Sequence, residues 1–337
     1  MACKFSAFVK QPLVCWRGRK RLERREEALI TKRLVTDIGG TNARFALVDD
    51  DGHLADEKTL RTKDFPGVVE ATNFYLDGRA IDSAVLVVAG PVEADHIELT
   101  NCPWAFSLEQ TKAALGLDEL HAINDFVAQA LAIPKLDRDD LQKLGGKQAI
   151  EGRAIAVIGP GTGLGVAGLI KIGETFHAIP TEGGHVAFAP KDEVEAGVLR
   201  ILRGRFGHVS NERLLSGPGL VNFAKALAEL QAIDLPIKIP SDVIDRAGTE
   251  QCPICIEALQ RFCTLLGAAA GDLALSYGAR GGVYLTGGMV AHLGDWFDVD
   301  RVLRAFVDKG RFETYLQTIP IYRVLRTDTG LIGAAAV

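Results

Sequence analysis

The sequence predicts an α/β protein of two domains, and three observations carry that expectation. The chain has 337 residues, 47% of them hydrophobic, which is long for a single core. Apolar runs of strand length alternate with stretches whose apolar residues recur at helical spacing. One unit also repeats: an apolar strand, a turn of Gly and Thr, and a second apolar strand. It occupies Leu34–Val48 and again Ala154–Ile170, with the turns about 120 residues apart, the size of one domain. The pattern fits a duplication that gives each half one such turn. A third strand-to-glycine turn lies at Gly282–Met289.

The first unit organises the rest. Val35 and Phe45-Ala46-Leu47-Val48 are apolar enough for a buried sheet, and Gly39-Gly40 supplies the turn. Adjacent glycines let backbone approach a ligand with no Cβ in the way. Thr41 and Asn42 add a hydroxyl and an amide beside bare N–H groups, which together form an anion-binding concavity. Asp37, just before the turn, is badly placed for an anion and well placed for a metal ion beside one. Taken alone, the stretch divides evenly between a phosphate-plus-Mg²⁺ site and an ordinary hairpin turn. The second unit, Gly161-Thr162-Gly163-Leu164-Gly165, lacks the spacing of a dinucleotide-binding turn, and no P-loop sequence occurs anywhere. Two turns facing across a cleft would clamp successive phosphates of a nucleotide.

Charge and cysteines narrow the classes. Residues 1–33 carry net +7 and the remaining 304 carry −12. An acidic body argues against a nucleic-acid surface, though not against a nucleotide site. No apolar run approaches the length of a membrane span, the longest candidates being Ala84–Ala89 and Ile155–Ile158. Six cysteines, at 3, 15, 102, 252, 255 and 263, are too scattered for a disulfide framework and fit a reducing cytoplasm. Cys252 and Cys255 have the gap of a zinc half-site but no matching second pair, so free thiols are expected. The stretch 1–33, acid-free from Met1 to Leu22, reads as a disordered basic extension or the product of an upstream start; one Ser argues against a transit peptide.

In order along the chain, a third strand is expected at Lys58–Arg61 and a helix from Phe65-Pro66 to Leu76. A buried strand runs from Asp82 to the Gly90-Pro91 stop, another covers Ile97–Asn101, and a helix opens behind a Ser107/Gln110 capping box. Leu120–Ile123 is a short strand, followed by a helix from Phe126 to Ile133 that Pro134 stops. Helices are expected over Glu193–Phe206, Leu220–Leu230, Ile256–Ala274 and Phe297–Val307. Gly217-Pro218-Gly219 reads as a turn. Ile319–Val324 closes the series as a strand, placed at a sheet edge by Pro320.

The remaining polar clusters supply the chemistry. Asp125 follows a strand and begins a helix, where a carboxylate can take the proton from an attacking hydroxyl. By spacing alone an Asp N-cap is the favoured reading. Asn124 beside it adds a second hydroxyl-binding group. Glu182, His185 and Glu212 suit a sugar, whose adjacent hydroxyls each donate and accept. A solvated loop carboxylate and a satisfied loop histidine are the plain alternatives, and the metal-binding pattern His-Glu-x-x-His is absent. His208, four residues before Glu212, is spaced to pair with it on a helix.

These residues fall in motifs that closely resemble the bacterial ATP-dependent glucokinase family. They are Asp37-Ile38-Gly39-Gly40-Thr41-Asn42-Ala43-Arg44, Ile123-Asn124-Asp125-Phe126, Gly161-Thr162-Gly163-Leu164-Gly165, Glu182-Gly183-Gly184-His185, Ser210-Asn211-Glu212-Arg213 with Leu215-Ser216-Gly217-Pro218-Gly219-Leu220, and Leu285-Thr286-Gly287-Gly288. They run in order from Leu34 to the C-terminus. The resemblance implies a two-domain actin-like, hexokinase-type (ribonuclease H-like) fold with a central interdomain cleft. Its small domain would span 34–135 plus about 326–337 and its large domain 136–325, after the 1–33 extension. It implies phosphorylation of D-glucose to glucose 6-phosphate by MgATP, the entry step of glycolysis, in a cytoplasmic homodimer with no nucleic-acid or membrane partner.

Carried over residue by residue, Asp125 resembles the general base. Asn124, Asp125, Glu182, His185 and Glu212 resemble the glucose ligands. Gly39, Gly40, Thr41 and Asn42 resemble the first phosphate loop, and Gly161, Thr162 and Gly163 the second. Gly287 and Gly288 resemble the adenosine turn, and Asp37 the aspartate that holds Mg²⁺ through its water shell. Two departures are the counterpart-free stretch 1–33 and an expected lack of the family's last helix, which would loosen the small domain. A chaperone-like ATPase would not need the Glu/His set, and 33 residues are too few for a repressor's winged domain.

Overall fold

The computed structural model describes residues 33–337 except 50, 91, 93, 100 and 101. The expectations for the basic stretch 1–32, for Asp50, for Pro91 and for Thr100-Asn101 therefore lie outside the described residues.

Strands β1 (Arg33–Ile38) and β2 (Asn42–Val48) form the antiparallel hairpin. Period-two alternation turns Leu34 and Ile38 to one face and Val35 and Asp37 to the other. β3 (Leu54–Arg61) joins β2, starting ahead of the expected Lys58. Helix α1 (Val68–Leu76) leads to β4 (Ser83–Val88), parallel to β1. A ribbon of β5 (His96–Glu98) and β6 (Ala105–Ser107) precedes α2 (Leu108–Leu115), where Ser107 Oγ accepts the Gln110 N–H at 3.1 Å. β7 (Glu119–Asn124) pairs parallel with β4 and runs straight into α3 (Asp125–Ala132). The sheet order is β3-β2-β1-β4-β7. Leu34, Phe45, Leu86 and Trp104 fill the core on one face.

The second sheet contains β8 (Leu141–Gly145), β9 (Ile155–Pro160), β10 (Leu164–Ile172) and β11 (Thr175–Pro180). After them come α4 (Glu193–Phe206), α5 (Gly217–Leu230), α6 (Pro240–Gly248) and α7 (Pro253–Tyr277). Then follow β12 (Gly282–Leu285), α8 (Gly288–His292), α9 (Val299–Val307), α10 (Glu313–Leu316), β13 (Ile321–Val324) and α11 (Thr329–Ala335). The order is β11-β10-β9-β12-β13-β8. Its first five strands repeat the order and directions of the other sheet: a three-stranded antiparallel meander, then two parallel strands. The repeat read from the glycine turns is thus a repeat of topology. The second copy carries α4–α7 between β11 and β12, and these helices build the largest core, around Phe223, Leu259, Phe262 and Leu266.

Several expectations are corrected. β13 lies between β12 and β8, not at an edge. Pro320 stands one residue before the strand, where its missing N–H breaks no ladder bond, and its carbonyl accepts from Val283 at 2.9 Å. Gly217-Pro218-Gly219 is the first turn of α5 and not a loop. Ser216 caps it by accepting the Gly219 N–H at 2.9 Å, and proline is tolerated in a first turn. α7 is long and apolar enough to cross a membrane, with a mean hydropathy of 1.2 over eighteen residues, but 72% of that window is buried in the protein. It is a core helix. The last helix described is α11, whose Leu331 and Ala334 are fully buried. β8 and β11 escape the sequence reading because Gln142, Lys143 and His177 interrupt any apolar run. Cys102, Cys252, Cys255 and Cys263 are free thiols.

Candidate active site

Helix α3 positions the site because it packs against both sheets. Ala128 joins Val35 and Val85 of the first sheet and Leu331 of α11, while Phe126, Ala130 and Ile133 join Val157, Ala167 and Tyr284 on the second. α11, the matching helix of the second repeat, crosses α3 at Gly333. A Cβ there would lie 1.8 Å from the Ala128 carbonyl oxygen.

At the head of α3 the structure corrects the capping assignment. Asn124, not Asp125, is the N-cap: its Oδ1 accepts from Phe126 at 2.8 Å and from Val127 at 3.3 Å, and its Nδ2 donates to the Gly90 carbonyl at 3.1 Å. Asp125 is the first helical residue. Its Oδ1 shares the Phe126 N–H at 2.9 Å, and Oδ2 has no hydrogen-bond partner among the described residues. Burial raises the Asp125 carboxyl to about 6, and the charges of Asp37 and Glu182 push it the same way. Asp37 and Glu182 therefore lie near enough to Asp125 for their charges to act on it.

Asp37 sits on β1 beneath the first glycine turn. Burial raises its carboxyl, opposed by Arg44 on the paired position of β2, whose Nη1 is 3.8 Å from Oδ2. Gly330 of α11 lies against this carboxylate, so closely that a Cβ would be 2.7 Å from Oδ2. The turn is closed by Gly39 N–H donating to Asn42 O at 2.9 Å, with Thr41 and Asn42 exposed. Buried Thr62 fixes it, donating Oγ1 to Gly40 O at 2.9 Å and its N–H to Thr41 O at 3.0 Å. Gly39 has no positive φ, and a Cβ there would meet only Asn42 O at 3.4 Å, so the fold of the turn itself does not require glycine at this position.

The second turn is closed by Gly161 N–H to Gly163 O at 2.8 Å, with Thr162 exposed at its tip. Gly217 N–H at the head of α5 donates to Gly161 O at 2.8 Å. Glu212 reaches the same turn: its Oε2 accepts the Leu164 N–H at 2.9 Å. The loop after β11 carries Glu182 and His185 on a single helical turn, with His185 N–H on Glu182 O at 3.0 Å. His208 does not pair with Glu212 on a helix, because α4 has ended. It lies in a bend, with Nε2 3.1 Å from the His185 carbonyl oxygen. At the third turn Gly287 has φ +89° and lies against the Pro160 carbonyl, where a Cβ would be 2.5 Å from oxygen. Gly288 starts α8. Sequence reasoning assigns no role to Arg44 or Thr62. Arg44 lies inside a recognised motif, whereas nothing local marks Thr62.

Comparison with known proteins fits this layout. The glucokinase from an Antarctic psychrotroph superposes with a TM-score of 0.82 at 37% identity, covering 91% of this chain and 98% of that one. A ROK family glucokinase from Streptomyces griseus, solved with glucose and AMPPNP, shares the fold at a TM-score of 0.58 and 20% identity, covering 90% of this chain and 98% of its own. This α/β scaffold is that of the sugar kinases. Glucokinases of Salmonella typhi and Aromatoleum aromaticum are 43% and 45% identical, each match spanning 90% of this chain and 95% and 93% of theirs. With the glucokinase family model matching residues 34–337, the chain belongs to the glucokinase family.

Proposed function

We propose that Asp125 is the general base of the ATP-dependent glucose phosphorylation that family membership gives this chain. The observation that carries the assignment is Asp125 itself: an Oδ2 with no hydrogen-bond partner among the described residues, a carboxyl raised to about 6 by burial, and the charges of Asp37 and Glu182 near it. Such a group is ionised at neutral pH yet basic enough to take a hydroxyl proton. Glucose lies between Asn124-Asp125 and the set Glu182, His185 and Glu212. Asp125 Oδ2 takes the 6-hydroxyl proton, O6 bonds to the γ-phosphorus, and the bond to the β,γ-bridging oxygen breaks to leave ADP. The turns Gly39–Asn42 and Gly161–Gly163 hold the phosphates through main-chain N–H groups not spent on closing them, and the Gly287-Gly288 turn borders the adenosine.

The donor set also fits Mg²⁺, a hard cation that takes carboxylate oxygens and keeps its waters. Asp37 would hold it, supplying charge neutralisation at the transferring phosphate. The two sheets support a division into a small domain, 34–135 with about 326–337, and a large domain, 136–325, closing on the sugar in an actin-like manner. We place the enzyme in the cytoplasm as a homodimer.

The test is a coupled assay of Asp125→Asn across glucose, mannose and fructose with ATP, ADP and polyphosphate as donors. Turnover should fall by roughly 10²–10⁴-fold with glucose binding retained. Near-normal turnover removes Asp125 from the base role. Equal ATP hydrolysis with and without sugar favours an ATPase instead.

A further inference from the structure

Gln129 has no part in the chemistry above, yet it stands at the centre of it. It lies four residues after Asp125 on α3, so the two side chains share a helix face one turn apart. Its Oε1 accepts the Thr286 hydroxyl at 2.6 Å and the Thr329 hydroxyl at 3.4 Å. Both threonines are about 95% buried, so their hydroxyls depend on this partner. Thr286 ends the β12 segment, immediately before Gly287 and the third glycine turn. Thr329 opens α11, immediately before Gly330, which lies against Asp37. One amide oxygen beneath the base thus joins the supports of two separate groups, the Gly287-Gly288 turn and the Asp37 carboxylate.

We propose that Gln129 is a positioning residue: it ties the nucleotide-side turn to helix α3 so that the phosphoryl donor is aligned on Asp125. The proposal rests on the reading of that turn as bordering ATP. Packing does not require an amide here. Neighbouring α3 positions that only pack, Ala128 and Ala130, are apolar and buried. The clasp acts on the nucleotide side alone, because neither threonine belongs to the Glu182, His185 and Glu212 elements. Its loss should therefore separate the two substrates.

The experiment compares wild type with Gln129→Met, which keeps length and removes the acceptor, with Thr286→Val, and with the double variant. Steady-state KM for ATP and for glucose, kcat and thermal unfolding are measured on each. Gln129→Met should raise KM for ATP about three- to tenfold, the loss of one buried hydrogen bond, while KM for glucose stays within twofold. Thr286→Val should reproduce the ATP effect, and the double variant should add nothing further. Gln129→Glu retains the acceptor and should return KM for ATP to within twofold of wild type. The proposal is overturned if both KM values move together, or if ATP KM is unchanged in Thr286→Val, which decides the matter should Gln129→Met not fold. Wild type that uses ATP but ignores glucose would instead refute the functional reading, independently of these ratios.

Discussion

Glu212 accepts the main-chain N–H of Leu164 at 2.9 Å, so a carboxylate assigned to the sugar also braces the exit of the second glycine turn. On the assignment proposed above, this bond links the sugar side of the site to its phosphate side. Gly163 leaves no room for a side chain there: a Cβ would lie 2.6 Å from Glu212 Oε2. Gly163→Ala should displace the carboxylate and raise KM for glucose and ATP together, by about tenfold or more if one charge-assisted hydrogen bond is lost. Steady-state titration of each substrate checks this. A change confined to ATP would show that Glu212 does not serve the sugar.

Asp125 gives a prediction with a definite sign in pH. Its folded-state carboxyl is raised to about 6 from an ordinary 3.8. Activity, which needs the ionised form, should fall tenfold per unit as pH drops below about 6. The same shift makes the ionised carboxylate a cost to the fold. At low pH both folded and unfolded chains hold the proton and there is no penalty. As pH rises between these two values the unfolded chain ionises first, and above about 6 the penalty is constant. Asp125→Asn should therefore be more stable than wild type at pH 7, by about 3 kcal/mol, with the gain fading towards pH 4. Thermal unfolding at both pH values measures it.

What is legible in the sequence is the backbone logic of the site. Glycine turns flanked by apolar strands announce themselves because each depends on neighbours in the chain. Asp37 falls inside such a segment, whereas Asp125 stands where a legible strand passes into a helix and Glu182 lies in a loop marked only by its two glycines. The cap of α3 is ambiguous in sequence because Asn124 and Asp125 both favour an N-cap, and only the backbone angle at Asn124 separates them. β8 and β11 are half-exposed outer strands, without the apolar run that marks a buried one. Thr62, Thr286, Gln129 and Thr329 act through contacts between residues far apart in the chain, which no local pattern records.

The cap makes a separable prediction. Asn124→Ala removes the acceptor for Phe126 and Val127 and should destabilise the protein by about 1 kcal/mol. Asn124→Asp restores a good cap at a helix N-terminus but loses the Nδ2 donor to the Gly90 carbonyl, so stability should recover only in part. Activity should not recover, since a second carboxylate beside Asp125 raises its pKa further and replaces an amide at the sugar. Unfolding curves and turnover measured on both variants distinguish the two roles of Asn124.

Asp37 raises the Asp125 carboxyl through its own charge. Asp37→Asn should thus move the acid limb of the rate profile to lower pH in any protein that retains measurable turnover. It should also raise the Mg²⁺ concentration giving half-maximal rate, because the carboxylate proposed to hold the cation is gone. A Mg²⁺ titration of rate at fixed ATP, repeated across pH, tests both effects. An unchanged Mg²⁺ requirement would separate Asp37 from the cation.

The crossing of α3 and α11 joins equivalent helices of the two repeats, and it depends on one missing methyl group. At Gly333 a Cβ would lie 1.8 Å from the Ala128 carbonyl oxygen and 2.4 Å from its carbon. That neighbour is main chain, so no side chain can rotate away and the helices must separate. Gly333→Ala should cost about 1–3 kcal/mol or more and lower turnover, since α3 carries Asp125. At Gly204, inside α4, a Cβ would meet nothing within 4 Å, and the backbone has no positive φ. Gly204→Ala should stabilise by about 0.5–1 kcal/mol, with kinetics unchanged. Denaturant midpoints for the pair test whether close helix approach, and not helix propensity, explains the glycine at 333. Equal stabilisation of both variants would refute it.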